Sequence, residues 1–256
     1  MIASQRYEKI IEMVDAQGIK NIKELAEVLN VTEMTIRRDC EELEKQGKII
    51  RVRGGVKSIK KQNILSSQDE KRMQDRTEFY NEKDLVCKKA ATFVKEGDCI
   101  FLDGGTSIAP MVKYLKGKKV KIVTNSMLVA NLFQDNDSEL FLLGGKYITE
   151  YSMSVGAITL VDLEKFNFDY AFIGCTGVDI ERNLIYTTDI DVMAVKEKAM
   201  QLAVKSYLLI DASKLSVKGF YSFIPYDRFD AVFCNDDVSI EKETIPQNFM
   251  LIDNKI

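Results

Sequence analysis

IKELAEVLNVTEMTIRRDCEELEKQGKIIRVRGGV, residues 22–56, packs two helices, a turn and a basic hairpin into thirty-five positions. Ile22, Leu25, Ala26 and Leu29 recur at helical spacing and give the first helix one apolar side. Asn21 precedes them with Glu24 three residues on, a capping-box arrangement. Asn30-Val31 makes a short turn, Thr32 caps the next helix, and Gly47 closes it. In that helix Ile36, Cys40 and Leu43 share a face, and at about 100° per residue Met34, Arg38 and Lys45 point away from it. Thr35 and Arg37 lie on the flanks. Ile49, Ile50 and Val52 then read as a strand, Gly54-Gly55 as a two-residue hairpin turn, and Val56 to Ile59 as the returning strand.

Upstream, Tyr7, Ile10, Ile11 and Val14 sit at i, i+3, i+4 and i+7, one face of a further helix that ends at Gly18. Three helices followed by a short hairpin make a winged helix-turn-helix over residues 1–59. Charge supports that reading. Residues 35–61 hold nine basic and four acidic side chains, a net of +5, on a chain whose net charge is −3. A local basic stretch on an acidic protein suits a polyanion. A charged face on a three-helix bundle explains the apolar positions equally well. It does not explain outward arginines and a basic hairpin arriving in that order. Recognition helices reach base edges from their N-terminal residues, and wings touch phosphate or the minor groove. The candidate contacts to double-stranded DNA are therefore Thr32, Met34, Thr35, Arg37 and Arg38 on the helix, and Arg51, Arg53 and Lys57 on the wing.

Composition removes other occupations. The chain of 256 residues has no histidine, so a Ser-His-Asp triad, a Cys-His pair and a two-histidine zinc site are all excluded. Its five cysteines are odd in number and form no CxxC, which suggests buried thiols in a reducing cytoplasm. No apolar run approaches the roughly 20 residues of a membrane helix. Neither metal nor cofactor is expected, nor any membrane partner.

Residues 60–81 are polar and lack Pro and Gly, and read as a partly helical connector. From residue 82 to 256 the pattern alternates helix and strand. Apolar runs stand at CIFLD (99–103), VKIVT (120–124), ELFLL (139–143), DYAFIG (169–174), SYLLID (206–211) and DAVFCN (230–235). Helical stretches lie between most of them, at 107–116, 127–134, 156–166 and 191–205. This is the signature of an α/β domain with a largely parallel sheet covered on both faces. The strand ends carry the chemistry. Asp103-Gly104-Gly105-Thr106-Ser107, Thr124-Asn125-Ser126, Gly144-Gly145-Lys146, the glycines after DYAFI, and Asp211-Ala212-Ser213-Lys214 would gather at one edge if the strands are parallel. Amides, hydroxyls, helix N-termini and a lysine together suit a phosphate on a polyhydroxyl compound. Neither GxGxxG nor GxxxxGK[ST] is present.

Residues 22–56, with TIRRD as their most specific part, resemble the winged helix-turn-helix of the DeoR family of bacterial transcriptional regulators. EKDLVCKKAATFVKEGDCIFLDGGTS, IVTNSMLVANLF, LLGGKY, VGAITL, FDYAFIGCTGVD, AVKEKAM and LLIDASK resemble that family's sensor domain across about residues 68–235. The resemblance implies a sensor of the phosphosugar isomerase and CoA-transferase type, a sugar-phosphate effector and repression of a carbohydrate operon. By motif it implies an effector cradle of Asp103, Gly104, Gly105, Thr106, Ser107, Thr124, Asn125, Ser126, Gly144, Gly145 and Lys214. Three positions depart from the family pattern: Arg53 stands where a histidine is usual, Ser107 where a second threonine is usual, and Asp191-Val192 where an acidic pair or Glu-Ala is common. Asp189 or Asp191 would then supply any acidic effector contact. The residues also permit a working phosphosugar isomerase using Asp103 and Lys214, and an activator built from the same parts. A homo-oligomer, dimer or tetramer, is expected.

Overall fold

A computed structural model describes residues 2–17, 19–52, 54–58, 72–237, 240 and 242–253. The N-terminal unit runs α1 (Ala3–Gln17), β1 (Ile19–Asn21), α2 (Ile22–Leu29), α3 (Glu33–Lys45), β2 (Ile49–Val52) and β3 (Gly55–Ser58). Ile10, Val14, Leu25, Leu29, Ile36, Cys40 and Leu43 bury together as its core, so the apolar stripes of all three helices face one another. Asn21 caps α2 by accepting from the amides of Lys23 and Glu24, and Thr32 caps α3 by accepting from Thr35. The Glu24 carboxylate takes the Lys20 ammonium at 3.0 Å.

The wing differs from expectation in one respect. Val52 pairs with Gly55, so Gly55 belongs to β3 and not to the turn, while Gly54 takes φ +81°. The cause is β1, a third strand that periodicity did not disclose: it pairs with β3, placing Asn21 opposite Gly55. A Cβ on Gly55 would come within 2.5 Å of the Lys20 carbonyl oxygen, so strand packing requires this glycine. Residues 60–71 of the expected connector fall outside the described residues; the remainder includes a 3-10 turn at Met73–Asp75.

The second unit begins with α4 (Tyr80–Ala90). It continues through β4 (Cys99–Leu102), α5 (Val112–Leu115), β5 (Lys121–Thr124), α6 (Met127–Leu132), β6 (Glu139–Leu142), β7 (Lys146–Ile148), β8 (Met153–Val155) and α7 (Ala157–Leu163). Then come β9 (Phe168–Ile173), β10 (Gly177–Asp179), β11 (Leu184–Thr187), α8 (Ile190–Gln201), β12 (Ala203–Ile210), β13 (Tyr221–Ser222), β14 (Ala231–Asn235) and β15 (Phe249–Ile252). All six expected runs are strands of one seven-stranded sheet, ordered β15-β14-β12-β9-β4-β5-β6 and parallel throughout. The seventh, β15, was not anticipated. Two apolar layers cover the faces: Val195, Ala199 and Leu163 of α8 and α7 belong to one, and Val86, Ala90 and Val129 of α4 and α6 to the other. The stretch expected to be helical at 107–116 is partly 3-10 (Ala109–Met111), because Pro110 sits at its start. Residues 203–205, expected to end a helix, open β12 instead by pairing with β9.

Two smaller antiparallel pieces decorate the sheet: the β7-β8 hairpin and the β10-β11-β13 flap. No helix among the described residues is long and apolar enough to cross a membrane.

Candidate functional site

The first candidate surface is the outer face of α3. Thr32, Met34, Arg37 and Arg38 are exposed there and Thr35 is half-buried. Arg37 lies 3.6 Å from Glu33 one turn back, and Arg38 has no acidic partner among the described residues. Arg51 is exposed but engaged: its guanidinium is 3.0 Å from Glu41, and its amide donates to Glu44 at 3.0 Å. A DNA phosphate would compete with Glu41 for it. Arg53 and the side chain of Lys57 lie outside the described residues.

Beneath this face is a contact that hydrophobic periodicity alone did not reveal. Asp39 is buried and receives two bonds from Arg6 of α1, Nε at 2.7 Å and Nη2 at 3.0 Å. This forked ion pair holds α3 to α1 and fixes the pitch of the outward arginines. The hydrogen bond to Asp39 raises the Arg6 pKa.

The second site follows from strand order. β4, β5 and β6 run out to one edge, whereas β9, β12, β14 and β15 run to the other. The connection therefore reverses between β4 and β9. In open parallel sheets, ligands bind outside the carboxyl ends of the strands at such a reversal. A cleft opens there, over the ends of β4, β9 and β12, lined by Gly104 to Ser107, Gly174 to Thr176, Ser213 and Lys214.

The loop after β4 forms one wall of the cleft. None of the backbone N–H groups of Gly104, Gly105, Thr106 and Ser107 has an acceptor among the described residues. Gly105 adopts φ +109°, which favours glycine, and Gly104 leaves room for the Met153 side chain, which a Cβ would strike. Lys214 comes from a 3-10 turn, Ala212–Ser216, capped by Asp211, whose carboxylate accepts from the Ser213 amide.

Behind the loop, Asp103 is fully buried. Its Oδ2 accepts from the Gly174 amide at 2.9 Å and from Lys196 of α8, whose ammonium also donates to the Gly174 carbonyl at 2.9 Å. Its Oδ1 has no hydrogen-bond partner among the described residues. Lys83 of α4 is likewise buried and donates to Thr106 Oγ1 at 3.0 Å and to the Glu78 carbonyl at 2.7 Å. Burial pushes the Lys83 pKa down.

Five residues of the expected cradle lie elsewhere. Thr124 is buried and donates to the Leu102 carbonyl at 2.6 Å. Asn125 donates to the Ser154 carbonyl at 2.9 Å, and Ser126 caps α6 and bridges Met153. The Gly144 carbonyl accepts from Thr159 at 2.6 Å, and a Cβ on Gly145 would strike that hydroxyl and come within 2.7 Å of the Val155 carbonyl. The ends of β5 and β6 are thus covered by β8 and α7, one and two strands away from the reversal. Asp189 caps α8 and Asp191 pairs with Lys146 at 3.2 Å; neither lines the cleft. Conversely, Lys196 and the connector residues Met73, Arg76 and Phe79 line the cleft and were not expected.

Comparison with known proteins adds three findings. Residues 6–62 match the model of the DeoR-like helix-turn-helix domain, and residues 78–236 that of the DeoR C terminal sensor domain. The lactose phosphotransferase system repressor of Streptococcus mutans is 31% identical over 94% of this chain and 96% of its own length. An HTH-type transcriptional regulator of Bacillus subtilis, FruR, is 31% identical over 87% of each chain. Among solved structures, ribose 5-phosphate isomerase A of Methanocaldococcus jannaschii is similar over 52% of this chain and 53% of its own, with 20% identity and a TM-score of 0.39. With both family models matched in order and the sensor model alone spanning more than half of the sequence, this chain belongs to the DeoR family of DNA-binding transcriptional regulators.

Proposed function

We propose that the chain represses a carbohydrate-utilisation operon and leaves its operator when a phosphorylated sugar occupies the cleft. The observation that carries this reading is the run of four amides from Gly104 to Ser107, without acceptors among the described residues, in a loop lining a cleft that also holds Lys214. Oriented N–H groups beside a cation suit a phosphate. Asp103 Oδ1, buried and unpartnered just behind the loop, suits a sugar hydroxyl. The names of the similar repressors support the sugar-operon role.

In this reading Thr32, Met34, Thr35, Arg37 and Arg38 meet the major groove, with Arg51, Arg53 and Lys57 along the backbone, as a dimer or tetramer on a two-fold operator. Gly104 to Ser107 and Lys214 hold the phosphate, while Thr124 to Ser126, Gly144 and Gly145 shape the neighbouring wall. Release requires the sugar phosphate to prefer a conformer with poor DNA affinity.

The test is a thermal-shift panel of hexose and pentose phosphates with their unphosphorylated parents. A ligand at 100 times its Kd stabilises by about 2.7 kcal/mol. A shift with one phosphorylated sugar, together with loss of the protein from a duplex selected out of a random-sequence pool, is the expected result. No shift with any of them would sink the proposal. Incubation with aldose phosphates is expected to give no turnover; isomerisation would favour the enzyme reading instead.

A further inference from the structure

The cleft is not walled by the sensor domain's sheet alone. Residues 72–79 directly precede α4 and form the end of the connector from the DNA-binding domain. Met73, Arg76 and Phe79 of this segment line the same cleft as Thr106, Ser107 and Lys214. The segment is fastened at two points and turns sharply at a third. The Met73 amide donates to the Glu150 carbonyl at 2.8 Å, in the turn between β7 and β8. Buried Lys83 joins the Glu78 carbonyl to the Thr106 hydroxyl, so one ammonium ties the connector to the amide-rich loop. Phe79 takes φ +56°, an uncommon conformation for a bulky side chain, at the turn into α4. Arg76 and Lys214 also share an electrostatic neighbourhood: both oppose the charge on Lys83, whose pKa is lowered first by burial.

We propose that Arg76 is a ligand-binding residue, completing the phosphate site from the connector, so that the effector grips the chain leading to the DNA-binding domain. This rests on the reading of the cleft as a sugar-phosphate site. The chemistry fits. A phosphate dianion has more acceptor positions than four amides on one side can fill, and a guanidinium offers a planar fork for the opposite oxygens. A ligand held between the β4 loop and Arg76 links two parts of the chain that Lys83 already couples. Occupancy is then felt in the connector without any relay through the sheet.

The experiment uses the full-length protein and the panel member that shifts the wild type. Arg76→Gln should weaken that sugar phosphate by about tenfold or more, the scale of one charge-assisted hydrogen bond. Arg76→Lys should recover part of the loss. Arg72→Gln, in the same segment but exposed and outside the cleft lining, should respond as the wild type does. A second measurement needs no variant: the ligand should slow tryptic cleavage after Arg76 in the wild type, and the unphosphorylated sugar should not. If Arg76→Gln fails to fold, this measurement decides. Wild-type binding with unchanged affinity in Arg76→Gln, or an equally fast cut at Arg76 with ligand bound, overturns the assignment and leaves the effector reading intact. No wild-type shift with any phosphorylated sugar overturns both.

Discussion

Replacing Lys196 by methionine should destabilise the sensor domain severely, and the structure says by how much. Lys196 and Asp103 are 5% and 1% exposed at the side chain. Methionine matches the volume of the lysine stem, so packing changes little. What is lost is the charge facing Asp103 Oδ2 and the bond to the Gly174 carbonyl. Asp103 keeps one donor, the Gly174 amide, and Oδ1 has none. An uncompensated buried charge of this kind costs about 3–5 kcal/mol. Urea unfolding followed by circular dichroism would read it as a lower midpoint at unchanged slope. The partner variant Asp103→Leu should cost a similar amount, and the double variant should recover at least about half of the loss, since it removes both charges. A Lys196→Met cost below about 1 kcal/mol, or strictly additive losses, would refute the claim that the pair is a buried unit.

Three further outcomes follow from the geometry. Arg38→Ala should cost about 1–3 kcal/mol on the selected operator in a mobility-shift titration, and an unchanged affinity removes Arg38 from the contacts. Gly145→Ala should lower the melting temperature, because the new methyl meets the Thr159 hydroxyl and the Val155 carbonyl at φ +141°; an equal melting temperature would contradict that packing. Stability should be flat from pH 6 to 8, as no histidine is present, and fall above about pH 9. Burial pushes the Cys40 thiol up to about 12 and also raises Cys87 and Cys234. These thiols stay protonated in the folded chain while the unfolded chain ionises, so each can remove up to about 1.4 kcal/mol per pH unit. Lys83, with its pKa lowered, acts in the opposite sense below its ordinary value of 10.5, but one amine is outweighed by three thiols. Denaturation midpoints that rise between pH 9 and 10.5 would contradict this balance.

Elements with strong periodicity were legible from residues alone: the helix-turn-helix, its caps at Asn21 and Thr32, and six strands of the sheet. The strand ends were legible as a group, but strand order was not, and order decides which ends meet. Without the reversal between β4 and β9, the ends of β5 and β6 look as eligible as that of β4. Three of the charged residues that were missed share one pattern. Asp39 falls on the stripe Ile36, Cys40, Leu43; Lys83 on Val86, Cys87, Ala90; and Lys196 on Val192, Val195, Ala199. In each helix a charge occupies an i, i+3, i+4, i+7 position otherwise apolar, and in each it is buried against a partner. Such a charge signals a bond across elements, a signal hidden when the stripe is read for its apolar members alone.

The order of the chain has a consequence for synthesis. The DNA-binding unit has its own core, and its described elements end at Ser58. The cleft needs β4, then β9, then Lys214, and its parallel sheet is finished only by β15. Domains fold in turn as they emerge, and parallel pairing is slow. On the function proposed above, a growing or prematurely terminated chain therefore presents Arg37 and Arg38 well before it can hold a ligand. On that same function, truncation anywhere between β3 and Lys214 would leave the arginines of α3 without the cleft that governs them.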